Sequence, residues 1–155
     1  MNAASDRVLD LFVTANIIRL GNKFTRHGEL LLEREKDMTI HEWRTLVWLE
    51  RLVEPTRDQM QSALALSDSD FGEVVESLEK RELISRIGTD RMSLTAAGDA
   101  MFDEIFPMML KRQDDLVQDE DPDELALFME TLHRLENRVD TLLEQLDTRQ
   151  AELTA

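Results

Sequence analysis

The sequence predicts a mainly α-helical fold carrying one small β-hairpin. Three observations point there. Glycine (5) and proline (3) are scarce in a chain of 155 residues, so tight turns are few. Hydrophobic residues make up 42% of the chain and recur at three- and four-residue steps along most of it. A single stretch, Ile84 to Thr95, switches to short β-compatible runs around a turn. The length fits one compact domain.

Residues 5–36 predict a long first helix. Ser5 is placed to cap it and Asp6 sits in the first turn. Val8, Leu11, Phe12, Ala15 and Ile18 form an apolar stripe, which Leu30 and Leu31 extend. Gly21 and Gly28 weaken the helix, so a bend or break is expected there. Thr39 caps the second helix, with Glu42 completing a capping box. Trp43, Leu46, Val47, Leu49 and Leu52 are its inward side chains, and Pro55 ends it. Thr56 opens a short third helix holding Met60 and Leu64. Ser67 or Ser69 caps a fourth, with Phe71, Val74, Val75 and Leu78 inward and an end near Arg81.

Ile84-Ser-Arg-Ile87 and Met92-Ser-Leu-Thr95 flank the turn sequence Gly88-Thr-Asp-Arg91, which predicts a two-stranded hairpin. A left-handed backbone is expected at Gly88. Ala96 to about Val117 is helical again, with Pro107 inside and Met101, Phe102, Ile105, Met109 and Leu116 at helical spacing. Asp119 to Glu124 forms an acidic cap, with Pro122 suited to the first turn of the last helix. In that helix Leu125, Phe128, Leu132, Leu135, Val139, Leu142 and Leu146 step alternately by three and four. This is a heptad seam, which packs either on the chain's own first helix or on a second subunit.

Charge and composition exclude several function classes. The net charge is −15, and residues 96–155 alone carry 16 acidic and 5 basic side chains. Such a balance does not suit non-specific polyanion binding, although it leaves specific DNA binding open if the acidic third faces away. With no cysteine there is no disulfide, thiolate zinc site or cysteine nucleophile. The uncharged run Leu11 to Ile18 is too short to span a membrane. No basic region followed by an apolar stretch opens the chain, so a cytoplasmic location is expected.

Glu130-x-x-His133 matches the spacing of di-iron bundles, but no second such pair exists. His27 and His41 are isolated, and there is no Gly-rich phosphate loop, nucleophile elbow or calcium loop. The expectation is a non-enzyme without metal or cofactor.

The order of helix, helix, short helix, helix, hairpin, helix, helix is that of a winged helix-turn-helix flanked by terminal helices. In such units the second helix of the pair enters the DNA major groove and the wing reaches a flank. Several segments carry a more specific likeness: Met38-Thr-Ile-His-Glu-Trp-Arg-Thr-Leu-Val-Trp-Leu49; Thr56, Met60, Leu64 and Leu66; Val74 to Ile84; Leu94-Thr-Ala-Ala-Gly98; Pro107; and Asp121-Pro-Asp-Glu124. Together, in this order, they resemble the MarR (multiple antibiotic resistance regulator) family of dimeric winged-helix transcriptional regulators, and the likeness runs over most of the chain.

The resemblance implies dimerisation helices at 1–37 and 119–155, with Leu11, Ile18, Leu132, Leu135, Val139 and Leu142 in the seam. It implies a winged helix-turn-helix region at 38–118, of which 56–95 is the helix-turn-helix plus wing. The DNA-contacting candidates are Arg57, Ser67, Ser69, Asp70, Glu73, Ser77, Arg86 and Arg91. A small-molecule effector pocket is also implied, with Trp43, Trp48, Met101 and Phe102 as candidates; core packing is the competing role for these four. The chain departs from the family pattern on the recognition helix, where Asp68, Asp70, Glu73 and Ser77 replace basic or small polar residues. Gln61 stands at a usually small position, and Glu82 replaces a glycine that favours the left-handed region. The wing, tipped by Asp90 and Arg91, is short. Two functions follow: a dimeric, ligand-responsive DNA-binding regulator, or a divergent winged-helix protein that has lost DNA binding and acts through protein contacts.

Overall fold

A computed structural model describes residues 12–154. Among the described residues there are six helices and one two-stranded antiparallel sheet: α1 (Val13–Lys36), α2 (Ile40–Arg51), α3 (Arg57–Leu64), α4 (Asp68–Lys80), β1 (Ile84–Ile87), β2 (Arg91–Leu94), α5 (Ala96–Val117) and α6 (Pro122–Thr154). The cap at Ser5, Asp6, Val8 and the seam candidate Leu11 lie outside the described residues. The backbone divides into two units, Met1–Met109 and Leu110–Ala155.

In the first unit α1 runs through Gly21 and Gly28 without interruption. Gly28 and Leu32 are buried and Leu31 packs against the core as expected, whereas Leu30 of the expected pair is exposed. The helix stops at Asp37, whose left-handed backbone (φ 49°) an aspartate tolerates. Both halves of the capping box then start α2: Glu42 N–H donates to Thr39 Oγ1 (3.1 Å) and Thr39 N–H donates to Glu42 Oε2 (2.7 Å). Trp43, Leu46 and Leu49 are buried, whereas Val47 and Leu52 pack at the margin. The helix ends at Arg51, short of Pro55. Thr56 opens α3 with a second capping box that uses Gln59. Ser67 caps α4, accepting from Asp70 N–H (3.2 Å), which settles the choice between Ser67 and Ser69.

The core of this unit joins α1 through Leu32, α2 through Leu46, α3 through Met60 and Leu64, α4 through Phe71 and Leu78, and α5 through Ile105. Ala65, in the turn between α3 and α4, and Glu82, just past α4, both adopt positive φ (53° and 57°). A Cβ there costs about 1–2 kcal/mol, more than the extra unfolded-state entropy of glycine, roughly 0.5–1 kcal/mol. Ala65→Gly and Glu82→Gly are therefore each expected to raise the urea midpoint, by about 0.5–1 kcal/mol of stability.

The hairpin pairs Ile84 with Leu94 and Ile87 with Arg91, so the second strand starts one residue before the predicted Met92 and leaves Thr95 outside it. The sheet is also tied to the start of α3. Thr56 forms a β-bridge with Arg91, Arg57 N–H donates to the Asp90 carbonyl (2.9 Å) and Met92 N–H donates to that of Pro55 (3.2 Å). Gly88 has φ +64° and nothing stands within 4 Å of where its Cβ would be. Gly88→Val therefore strains the backbone alone, by about 1–2 kcal/mol. Faster amide exchange is expected at Ile87 and Met92, with oligomeric state unchanged.

In α5 the helix continues through Pro107. At the start of α6 Asp121 accepts from the backbone N–H of Asp123 (2.9 Å) and Glu124 (3.2 Å), with Pro122 in the first turn as expected. Along α6 Leu135, Val139, Leu142 and Leu146 are exposed, as are Leu127, Phe128, Met129 and Leu143. Leu132 is half-buried. On α1 Ile17, Ile18, Leu20 and Phe24 are likewise exposed, Ile18 at 63%. Among the described residues no helix is long and apolar enough to cross a membrane.

Candidate nucleic-acid interface

The helix-turn-helix is α3, the turn Ala65–Ser67, and α4. Phe71, Val75 and Leu78 point inward from α4. At 3.6 residues per turn, the opposite line holds Ser69, Glu73 and Lys80, with Glu76 beside it. All four are exposed. Within Asp68–Lys80 five carboxylates face one lysine, so the outer surface of this helix is anionic.

Most of the cations around it are already engaged. Arg57 Nη2 lies 2.9 Å from Asp68 Oδ1, and its guanidinium stacks 5.1 Å above the Phe71 ring. Arg57 thus staples α3 to α4. Lys80 pairs with Glu76 at 2.7 Å, one turn back. Arg86 on β1 grips Glu79 with two nitrogens, at 2.5 and 3.0 Å. The hydrogen bond from Arg86 holds the Glu79 carboxyl below its ordinary range and raises the guanidinium; Lys80 likewise lowers Glu76. Arg81 donates to the Asp37 carbonyl (3.1 Å) and lies 3.6 Å from Glu42. Arg91, at the wing tip, is exposed and has no ion pair among the described residues. Exposed pairs of this kind are weak, so a phosphate can compete for the guanidinium of Arg86.

The structure therefore separates the predicted contact residues. Ser69, Glu73 and Arg91 are exposed, with no side-chain hydrogen bond or ion pair among the described residues. Ser67 and Asp70 are joined in the α4 cap, with Ser67 Oγ donating to Asp70 Oδ2 (2.6 Å). Ser77 turns the other way and donates to the buried Glu42 (2.5 Å). Glu42, which the sequence marks only as a capping residue, is the hub of this corner. It receives Thr39 N–H and Ser77 Oγ–H and faces Arg81, so its buried charge is compensated. Nothing in the local sequence signals a contact between residues 35 positions apart.

Of the effector candidates, Trp43 stacks on Phe102 (ring centroids 5.4 Å apart, planes 14° apart), and Phe102 stacks on Phe106 (5.2 Å). Met101 packs against the same core. Trp48 packs against that core too, and the Arg51 guanidinium lies 5.0 Å from its ring. A cleft of about 480 Å³ lies elsewhere in this unit, lined by Glu29, Thr39, His41, Glu42, Asp70, Glu73, Val74 and Ser77. The buried Nδ1 of His41 has no hydrogen-bond partner there. Among the described residues no group of three His, Cys, Asp or Glu side chains is placed to hold a metal ion.

No family model matches the chain, and no curated protein matches it. Solved structures do. A MarR/EmrR family transcriptional regulator from Acinetobacter sp. ADP1 superposes with a TM-score of 0.81 at 21% identity, over 86% of this chain and 98% of that one. The chain has the winged-helix fold of MarR regulators. MepR from S. aureus, solved in complex with DNA, gives a TM-score of 0.72 at 16% identity, over 84% of this chain and 98% of its own. The PcaV regulator from Streptomyces coelicolor, solved with its natural ligand, gives 0.65 at 17% identity, over 76% of this chain and 89% of that one.

Proposed function

We propose that this chain is a homodimeric, DNA-binding transcriptional regulator of the MarR type, acting in the cytoplasm and answering to a small-molecule effector. The observation that carries the reading is the helix-turn-helix whose second helix keeps an exposed outer line, beside a wing anchored to α3 and tipped by Arg91, which has no ion pair among the described residues. The likeness to MepR bound to DNA supports it, and the likeness to ligand-bound PcaV supports the effector. The apolar row left exposed on α6 supports the dimer.

A test follows from the charge census. Each protomer offers about two phosphate ligands, Arg91 and an Arg86 released from Glu79. A dimer neutralises about four phosphates, so log K is expected to fall with log salt at a slope of about −4. Genomic pull-down supplies the site, and a salt titration on it gives the slope. Arg91→Ala removes one contact per wing and is expected to flatten the slope by about 2 per dimer, weakening all sites alike. A wild type without salt-sensitive binding to any duplex overturns the reading in favour of a protein-contact role.

A further inference from the structure

We propose that Glu73 reads cytosine in the major groove, its carboxylate accepting a hydrogen bond from the N4 amino group of the base. The inference rests on the DNA-binding reading above and adds a base preference to it. Its first support is placement. Glu73 stands at the middle of the line opposite Phe71, Val75 and Leu78, one turn beyond Ser69, in the N-terminal half of α4. That is the half of a recognition helix that meets base edges.

The second support is the pairing pattern. Asp68 is held by Arg57, Asp70 by Ser67, Glu76 by Lys80 and Glu79 by Arg86. Glu73 is exposed and has no hydrogen-bond or ion-pair partner among the described residues. The other four carboxylates of α4 thus each have a partner in the free protein, and the one without occupies the outer centre.

The third support is chemical selection. A free carboxylate facing a phosphate is repelled, so this position tolerates DNA only where it meets a hydrogen-bond donor. Major-groove edges offer two: the amino groups of cytosine and adenine. Adenine sets the N7 acceptor beside its amino group, which repels a carboxylate, whereas guanine and thymine present acceptors at the matching place. Cytosine is left as the preferred base.

The experiment is selection of bound duplexes from a randomised pool by the full-length wild type, Glu73→Ala and Glu73→Gln, all checked for native circular dichroism. The wild-type pool is expected to fix a C·G pair at one position of each half-site. Replacing that cytosine by 2-pyrimidinone, which lacks the amino group, is expected to weaken wild-type binding about five- to ten-fold. The same replacement should leave Glu73→Ala binding unchanged. Glu73→Gln, whose amide both donates and accepts, is expected to shift the preference from cytosine to adenine. A wild type that binds a selected site but shows equal losses with and without the Glu73 carboxylate overturns the base-reading role while leaving DNA binding intact. A wild type that selects no duplex overturns both.

Discussion

Gly98→Ala is expected to destabilise the winged unit by about 3 kcal/mol, although on helix propensity alone it would gain about 1 kcal/mol. The added Cβ would lie 2.0 Å from the Leu83 carbonyl oxygen and 3.1 Å from its carbon. Both are backbone atoms, so no side-chain rotation relieves the clash. Either the start of α5 or the segment before β1 must move. That junction is fixed by three hydrogen bonds: Thr95 N–H to the Leu83 carbonyl (3.1 Å), Thr95 Oγ–H to the Glu82 carbonyl (2.6 Å) and Gly98 N–H to Thr95 Oγ1 (3.1 Å). Overpacking costs about 1–3 kcal/mol, and each disturbed hydrogen bond adds about 1 kcal/mol. Urea unfolding followed by circular dichroism measures the outcome, and a loss below about 1 kcal/mol would mean that α5 slides freely along the sheet. Gly88 and Gly98 make opposite demands. The first needs a left-handed backbone in open space, and the second needs space under an ordinary helical backbone.

This pair also shows what is legible in the sequence. The turn at Gly88 and the capping box at Thr39 are local rules written within four residues, and both are read correctly in advance. The Leu-Thr-x-x-Gly segment is recognisable as a pattern, but its cause, the approach of Leu83 to Gly98, appears only once the chain is folded. Ala65 hides a left-handed position because alanine does not announce one, whereas at Glu82 only the likeness to a family glycine marks it. The site divides in the same way. The outward line of α4 follows from helical phase, so Ser69 and Glu73 are predictable. The engagement of Ser77 with Glu42, of Arg57 with Asp68, and of Arg86 with Glu79 is not, because those partners lie 35, 11 and 7 residues apart and meet through packing. The tie between Thr56 and Arg91 is illegible for the same reason: a single bridge leaves no alternating pattern to read.

Leu135→Asp is expected to dissociate the proposed dimer. The side chains of Phe128, Leu135, Val139, Leu142 and Leu146 fall on one stripe of a 33-residue helix, and each is between 38% and 59% exposed in the single chain. Heptad steps of three and four keep such a stripe facing one partner helix along its length. A row this long left in water supports the proposed dimer, because isolated exposed apolar residues are ordinary and contiguous ones are not. An aspartate at position 135 would place an unpaired carboxylate at the centre of the row, and two-fold symmetry would do so twice. An uncompensated buried charge costs about 3–5 kcal/mol, which corresponds to a rise in Kd of at least about a hundred-fold. The poorer helix propensity of aspartate contributes well under 1 kcal/mol and cannot account for such a change. Asn137→Asp, two residues away and off the stripe, adds the same charge as a control and is expected to leave association unchanged. Sedimentation equilibrium decides between the outcomes. A wild type that is monodisperse and monomeric at micromolar concentration removes the dimer from the proposal. A Leu135→Asp variant that remains dimeric moves the interface away from α6, towards the exposed row of Ile17, Ile18, Leu20 and Phe24 on α1.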